Sequence, residues 1–280
     1  MDRFCIIGGD KRQAYLGQRL IDSGSFVTYY ALEKCDSAQQ DYAMLDTAVL
    51  KCGSVILPMP LTRDGKTVNT PLSDISILLD KELGKLFSGK RIYTSDSEKL
   101  IKMTGLSKDL VFDYSKDEAL CIANAVLTAE GALAAAINES PCSLFGSRCL
   151  VSGFGRIGKV LAKYLSAVGC DVFVSARKDT DLAWITALGY TAVNIGKIKS
   201  SGTYDFIFNT VPHTVFTRET LTGICKKDCS YIELASPPFG AEKASFDGLT
   251  VRFVQASGLP GKLSSKAAAD IIYDTINKHR

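Results

Sequence analysis

The stretch CLVSGFGRIGKVLAKYL, Cys149–Leu165, decides the fold. Cys149–Ser152 read as a short apolar strand, and Gly153-Phe154-Gly155-Arg156-Ile157-Gly158 opens an amphipathic helix that runs to about Val168. Strand, glycine turn and helix in that order are the start of a dinucleotide-binding unit. Each glycine has its own task there. Gly153 makes the tight turn, Gly155 lets a pyrophosphate approach the backbone, and Gly158 lets the helix pack closely on the strand. The helix amino terminus then faces the diphosphate.

A second strand follows at the expected distance in CDVFVSARKD, and its tip is Ser175-Ala176-Arg177-Lys178. In such units this tip ordinarily carries an acid that holds the ribose hydroxyls of NAD. An acid would repel a ribose 2′-phosphate. A serine hydroxyl can instead donate a hydrogen bond to it, and Arg177, helped by Lys178, can pair with the dianion. The tip therefore predicts NADP(H), against the plainer reading of Arg177 as a solvated surface charge. Further on, YDFIFNTVPH reads as a buried strand ending at Asn209-Thr210-Val211-Pro212, and CSYIELASPPFG as another ending at Glu233-Leu234-Ala235-Ser236, tips expected to line the nicotinamide end of the crevice. Strand ends of this kind border the ligand crevice of a doubly wound sheet. VRFVQASGLPGK adds one more strand and a Gly-Pro-Gly-type loop bearing Lys262.

The first third alternates in the same way: RFCIIGG, RQAYLGQRLIDSG, FVTYYAL, DYAMLDTAVLKCG and SVILPMP predict strand, helix, strand, helix, strand. Right-handed crossovers make that a parallel sheet. LTRDGKTVNTPL, with its Asp64-Gly65 turn signal, predicts a loop or small hairpin, and SDISILLDKELGKLF a helix capped by Ser73 or Asp74. KRIYTS and LVFDY read as two more strands. From Lys116 to Ile137 runs one Ala- and Leu-rich helix with a Ser115-to-Glu118 capping box. The fold expected is α/β with two doubly wound parallel-sheet domains linked by that helix. Residues 1–120 form the first, 121–264 the second, and a closing helix over 265–280 returns to the first.

Composition narrows the function. The 280 residues carry 33 Lys and Arg against 30 Asp and Glu, a net charge of +3, which gives no basic excess for nucleic acid. The run Phe4-Cys5-Ile6-Ile7 ends at Gly8-Gly9-Asp10, and no stretch approaches about eighteen uninterrupted apolar residues, so no signal peptide or membrane association is expected and the chain is placed in the cytoplasm. Nine cysteines, an odd number, lie mostly in apolar patterns and read as reduced thiols. Cys225 and Cys229 lack a second pair to complete a tetrahedral site, so no metal is expected.

GGDKRQ, ILPMP, TAEGALAAAI, SGFGRIGKVLA with SAR, FNTVP, ELAS and GLPGK, in that order along nearly the whole chain, resemble the A-subunit family of dipicolinate synthase. The resemblance implies a flavodoxin-like first domain serving substrate or partner and an NADP-type Rossmann second domain. It also implies a partner, the flavoprotein B subunit, with FMN or another flavin confined to that partner. Together the pair would convert dihydrodipicolinate, or its hydrated precursor, to dipicolinate in sporulating bacteria. Whether the chain also forms a homo-oligomer is left open.

Making a pyridine from a dihydropyridine dicarboxylate removes a hydride and a proton, so the protein must hold two carboxylates and offer a base. For the carboxylates, Gly8, Gly9, Asp10 and Arg12 at a helix start offer backbone donors with a guanidinium, although Arg12 reads equally as an ion pair with Asp10. Lys262 is a second candidate, and Thr128 and Glu130 on the long helix are either crevice residues or helix surface. His213, after the Asn209 strand end, is the candidate base. Two rivals remain. One is a D-2-hydroxyacid-dehydrogenase-like reductase, whose Arg, Glu and late His are poorly matched because no histidine lies between His213 and His279. The other is a cofactor-binding partner subunit without activity of its own.

Overall fold

The computed structural model describes residues 1–38 and 44–280, which divide into one unit of Met1–Ala123 with Ser264–Arg280 and another of Asn124–Leu263. The first unit runs β1 (Arg3–Ile7), α1 (Lys11–Asp22), β2 (Phe26–Tyr30), α2 (Leu45–Leu50), β3 (Ser54–Ile56), α3 (Lys81–Leu86), β4 (Arg91–Thr94), α4 (Ser97–Thr104) and β5 (Val111–Asp113). All neighbouring strands are parallel, in the order β2-β1-β3-β4-β5, which is the flavodoxin-like arrangement. The strands are short and apolar because helices cover both faces. One face packs Cys5, Ile7, Val55 and Ile92 against Leu83, Phe87 and Leu100, and the other packs Phe4, Ile6 and Tyr93 against α1.

Helix α5 (Glu118–Glu139) spans the division between the units. By length and composition it is apolar enough to cross a membrane, yet its small residues Ala129, Ala132 and Ala136 lie in the core of the second unit. That unit continues with β6 (Arg148–Ser152), α6 (Arg156–Ala167), β7 (Asp171–Ala176), α7 (Asp179–Ala187), β8 (Thr191–Asn194), β9 (Tyr204–Asn209), α8 (Arg218–Ile224), β10 (Cys225–Glu233), β11 (Arg252–Gln255) and α9 (Leu259–Leu263). The order is β11-β10-β9-β6-β7-β8, all parallel, the Rossmann arrangement with its reversal between β6 and β9. Both sheets are thus the doubly wound parallel type that the alternating pattern predicts. The last helix, α10 (Ser265–Lys278), packs Ala269, Ile272, Tyr273 and Ile276 against Ala14, Leu16 and Leu20 of α1.

Two local readings need correction. The predicted helix from Ser73 begins only at Lys81, where the Asp80 carboxylate accepts from Leu83 N at 2.9 Å. Ile75, Ile77 and Leu79 instead alternate inward from an extended segment that bonds residues 66–68, with Val68 N on the Ile77 carbonyl and Leu79 N on the Lys66 carbonyl. This period-two burial overrides the helical composition around it. The Ser115-to-Glu118 capping box is not formed, because Ser115 Oγ donates to Asp113 and to the Ser95 carbonyl, and Asp117 accepts from Leu120 N at 2.8 Å in its place. The start of the second helical run, at Asp41, lies outside the described residues; the described helix begins at Leu45.

Candidate functional site

The turn after β6 is built as its glycines predict. Gly153 has φ +101°, a conformation open to glycine, and a Cβ there would lie 2.5 Å from Thr210 Oγ1 and 2.9 Å from Val211 Cγ2. A Cβ on Gly158 would lie 2.1 Å from the Gly153 carbonyl oxygen, so α6 sits as near the turn as a backbone allows. A Cβ on Gly155, by contrast, would meet nothing within 4 Å. The protein leaves this backbone bare on the side from which a pyrophosphate would approach, at the amino terminus of a twelve-residue helix.

Beside the turn lies a cavity of about 720 Å³, within the usual range for small-ligand sites. Of the predicted cofactor residues, Gly153, Phe154, Gly155, Ser175, Ala176, Arg177 and Val211 line it, as does His213. Phe154 is buried under Lys159, whose ammonium lies 5.1 Å from the ring centroid. Arg156, Ile157 and Gly158 continue the turn into α6, with Arg156 exposed. Arg177 and Lys178 are exposed at the end of β7. Ser175 lines the cavity with its hydroxyl buried and without a hydrogen-bond partner among the described residues.

Asp181, Ile195, Gly196, Thr214 and Val215 also line the cavity and were not singled out from the sequence. Asp181 is the chemically telling one, an acid four residues beyond Arg177 in the first turn of α7. An acid at that position reads simply as a complement to the helix dipole, which hid it.

At the ends of β9 and β10, Asn209 and Ala235 belong to a buried network around Glu233, while Val211 lines the cavity. Asn209 and Glu233 are both fully buried, and Asn209 Nδ2 donates to Glu233 Oε1 at 2.7 Å and to the Val211 carbonyl at 2.9 Å. Ala235 N donates to Glu233 Oε1, and Gly240 N and Tyr231 OH donate to Oε2. Burial, then the Glu233 carboxyl beside it, push the Tyr231 phenol well above its ordinary value, which keeps it a donor. Thr210 Oγ1 donates to the Ser152 carbonyl at 2.8 Å, while Pro212 and Ser236 are exposed.

Of the two readings open for Arg12, the structure shows the ion pair with Asp10. In the first unit, Gly8 and Gly9 adopt φ of +64° and +92°, but Gly8 N donates to the Tyr30 carbonyl and Gly9 N to the Asn69 carbonyl, each at 2.8 Å. Asp10 caps α1 and takes Arg12 through two bonds, Nε at 2.9 Å and Nη2 at 2.8 Å. Arg12 Nη2 also donates to the Met59 carbonyl, and the residue is only 8% exposed. These donors are spent within the fold, where Arg12 and Gln13 tie the start of α1 to the exit of β3. In the second unit Thr128 is buried with its hydroxyl on the Asn124 carbonyl, and Glu130 is exposed on α5. Lys262 is exposed too, on the short helix α9 rather than in a loop, and Leu259 of that helix packs on Gly131. The nine cysteines are free, and no group of metal-ligating side chains occurs among the described residues.

Comparison with known proteins agrees with this geometry. Residues 3–107 match the N-terminal domain of the dipicolinate synthase A-subunit, and residues 123–223 match the NAD binding domain of D-isomer specific 2-hydroxyacid dehydrogenases. The chain is 25% identical over 300 residues to the dipicolinate synthase A-subunit of Bacillus subtilis (strain 168), covering 99% of this chain and 95% of that protein. The chain is similar to the dipicolinate synthase A-subunit over nearly its whole length. Crystal structures of that protein from Bacillus halodurans (TM-score 0.86, 25% identity, 99% and 97% of the two chains) and Bacillus subtilis (TM-score 0.82, 24% identity, 99% and 95%) share its fold. A nicotinamide cofactor and a dehydrogenase-type role follow from the second domain.

Proposed function

We propose that this chain is the NADP-binding member of a two-component dipicolinate synthase, working in the cytoplasm with a flavoprotein B subunit to form dipicolinate from dihydrodipicolinate, or its hydrated precursor, during sporulation. The observation that carries the reading is the glycine-turn cavity, in which β7 ends in Arg177 and Lys178 instead of an acid. When bound, the oxidised cofactor would accept the hydride that the ring loses on becoming aromatic. The chain's own residues do the rest. The bare backbone at Gly155 and the start of α6 hold the diphosphate. Arg177 and Lys178 pair with the 2′-phosphate. His213, exposed on the cavity wall, is the candidate for the proton that leaves with the hydride.

Substrate carboxylates are assigned to the Gly8, Gly9, Asp10 and Arg12 end of the first domain or to Lys262, with Thr128 and Glu130 as helix-borne candidates. The bidentate Asp10–Arg12 pair makes Lys262 the more available cation. A hydroxyacid dehydrogenase reading is favoured by the match of residues 123–223, but that chemistry wants a histidine late in the cofactor domain, and none lies between His213 and His279.

The test is to incubate the purified chain with NADP+ and dihydrodipicolinate, with and without the B subunit, and to follow the ultraviolet absorbance of the pyridine product. Turnover that needs both proteins is the expected result. Turnover without B makes the chain a complete enzyme. No turnover in either case, with cofactor tightly bound, makes it a non-catalytic binding partner, and reduction of 2-oxo acids supports the dehydrogenase alternative.

A further inference from the structure

The cavity beside the glycine turn carries opposite charges close together in sequence. Arg177 directly follows β7 and Asp181 is the third residue of α7, and both line the cavity together with Ser175 and Ala176. A guanidinium and a carboxylate four residues apart could neutralise one another. Here neither side chain has an ion-pair or hydrogen-bond partner among the described residues, each other included.

The plainer account of Asp181 is helix chemistry. A carboxylate in a first turn complements the helix dipole, and from the third position it can reach back to the amide of the capping residue. Asp181 makes no such bond to Lys178. It is also half-buried, whereas Asp179 in the same turn is exposed and lies off the cavity wall. Either acid would serve the dipole, so the dipole does not explain why one of them faces the cavity.

The fold says which part of a dinucleotide meets this stretch. In a doubly wound dinucleotide unit the tip of the second strand stands at the adenosine ribose, and here that tip is Ser175-Ala176-Arg177. The Ser175 hydroxyl is fully buried there without a partner, which marks the wall as made for a polar ligand. A ribose with a free 2′-hydroxyl offers a carboxylate a donor. A ribose with a 2′-phosphate offers a dianion, which a guanidinium attracts and a carboxylate repels.

We propose that Asp181 sets the balance between two nicotinamide cofactors in this cavity: its carboxylate accepts from the adenosine ribose of NAD(H) and opposes the 2′-phosphate that Arg177 attracts, so that the site takes both. The inference rests on reading the cavity as a nicotinamide dinucleotide site.

Asp181→Asn keeps the shape of the side chain and removes its charge. In calorimetric titration at low salt the variant should bind NADH about fivefold more weakly than the parent, the difference between a hydrogen bond to a charged and to a neutral acceptor. It should bind NADPH about threefold more tightly, as lifting a screened like charge from a phosphate predicts. Asp181→Ala, which removes the acceptor as well, should keep the NADPH gain and deepen the NADH loss. A structural role cannot move the two cofactors in opposite directions, because a damaged cavity weakens both. Asp179→Asn is the control for the helix dipole and should change neither affinity by more than about twofold. Affinities that move together or not at all in the Asp181 variants overturn the proposal, as do opposite shifts in Asp179→Asn or a parent that binds NADPH but not NADH; each of these leaves the cofactor reading standing. A parent that binds neither cofactor overturns both.

Discussion

Two glycines of one turn should fail in opposite ways when a methyl is added. At Gly158 the new Cβ would stand 2.1 Å from the Gly153 carbonyl oxygen and 3.0 Å from its carbon, and both are backbone atoms that no rotamer change can move aside. To bring the oxygen contact to about 3 Å, α6 must withdraw from the turn by about 1 Å, and overpacking of this kind costs roughly 1–3 kcal/mol. Because the obstacle is backbone, the upper part of that range applies, and a loss of about 2–3 kcal/mol lowers Tm by roughly 4–12 °C in a chain of this size. At Gly155 the methyl would meet no protein atom within 4 Å, and the residue's φ of −78° suits any side chain. Gly155→Ala should then keep its stability to within about 1 kcal/mol, the lost cap preference being offset by a stiffer unfolded chain.

Cofactor binding should sort the two variants differently. The Gly155 methyl occupies the approach path of the pyrophosphate, so affinity should fall tenfold or more, about 1.4 kcal/mol or beyond, in a protein that melts like its parent. Gly158→Ala should lose stability and affinity together. Differential scanning calorimetry and titration with NADPH measure both quantities on the same samples. A Gly155→Ala protein that binds as the parent does would show that the diphosphate does not lie on this turn, and an unaltered Tm for Gly158→Ala would refute the packing argument.

Arg177→Ala should weaken NADPH by about tenfold, from a charge-assisted contact of roughly 1.5–3 kcal/mol reduced by exposure, and leave NADH nearly unchanged; equal losses in calorimetry would show that Arg177 does not read the 2′-phosphate. Tyr114→Phe removes a hydroxyl that donates at 2.7 Å to the buried Leu57 carbonyl, which keeps Gln13 Nε2 at 3.2 Å, so denaturant unfolding should show a loss of about 0.5–1.5 kcal/mol. Asp64 accepts from Thr67 N, Lys66 N and Thr67 Oγ1, and these bonds hold its carboxyl well below the usual range. A depressed folded value means that the turn's stabilisation is complete above the unfolded pKa of about 4 and fades as pH falls through the folded one, so the Thr67 amide should stay protected at pH 4 and begin to exchange faster only in stronger acid.

The layers of the fold were legible because parallel strands buried on both faces must be apolar almost throughout, and runs such as FVTYY and YDFIF have no other use in a chain this size. That neighbouring strands run parallel was legible because a helix-length stretch separates each strand from the next, and every pairing in both sheets is parallel. Where the sequence misled, a local preference lost to a partner that the local pattern marks weakly. In SDISILLD the alternation Ile75-Ser76-Ile77 marks an extended partner for residues 66–68 only faintly beside the helix formers of the KELGKL run that follows. Ser115 was a plausible cap until Asp113 and Ser95, on neighbouring strand ends, took its hydroxyl.

Legibility of the site followed a different rule, set by whether a residue's role depends on its backbone or on its side chain's company. The glycines could be assigned one by one, since a tight turn, a bare approach and a close helix contact are backbone requirements that only glycine meets. Arg12 could not, because a guanidinium beside an aspartate two residues away is both a carboxylate donor and an ion pair until the structure shows it 8% exposed and bonded twice to Asp10. Glu233 was read as part of a strand end bordering the crevice, and the structure buries it instead. An acid closing a buried strand declares itself only when the four donors from Asn209, Tyr231, Ala235 and Gly240 are seen to converge on it. The glycine turn is thus written in one short motif, whereas the network around Glu233 is written in the distance between motifs.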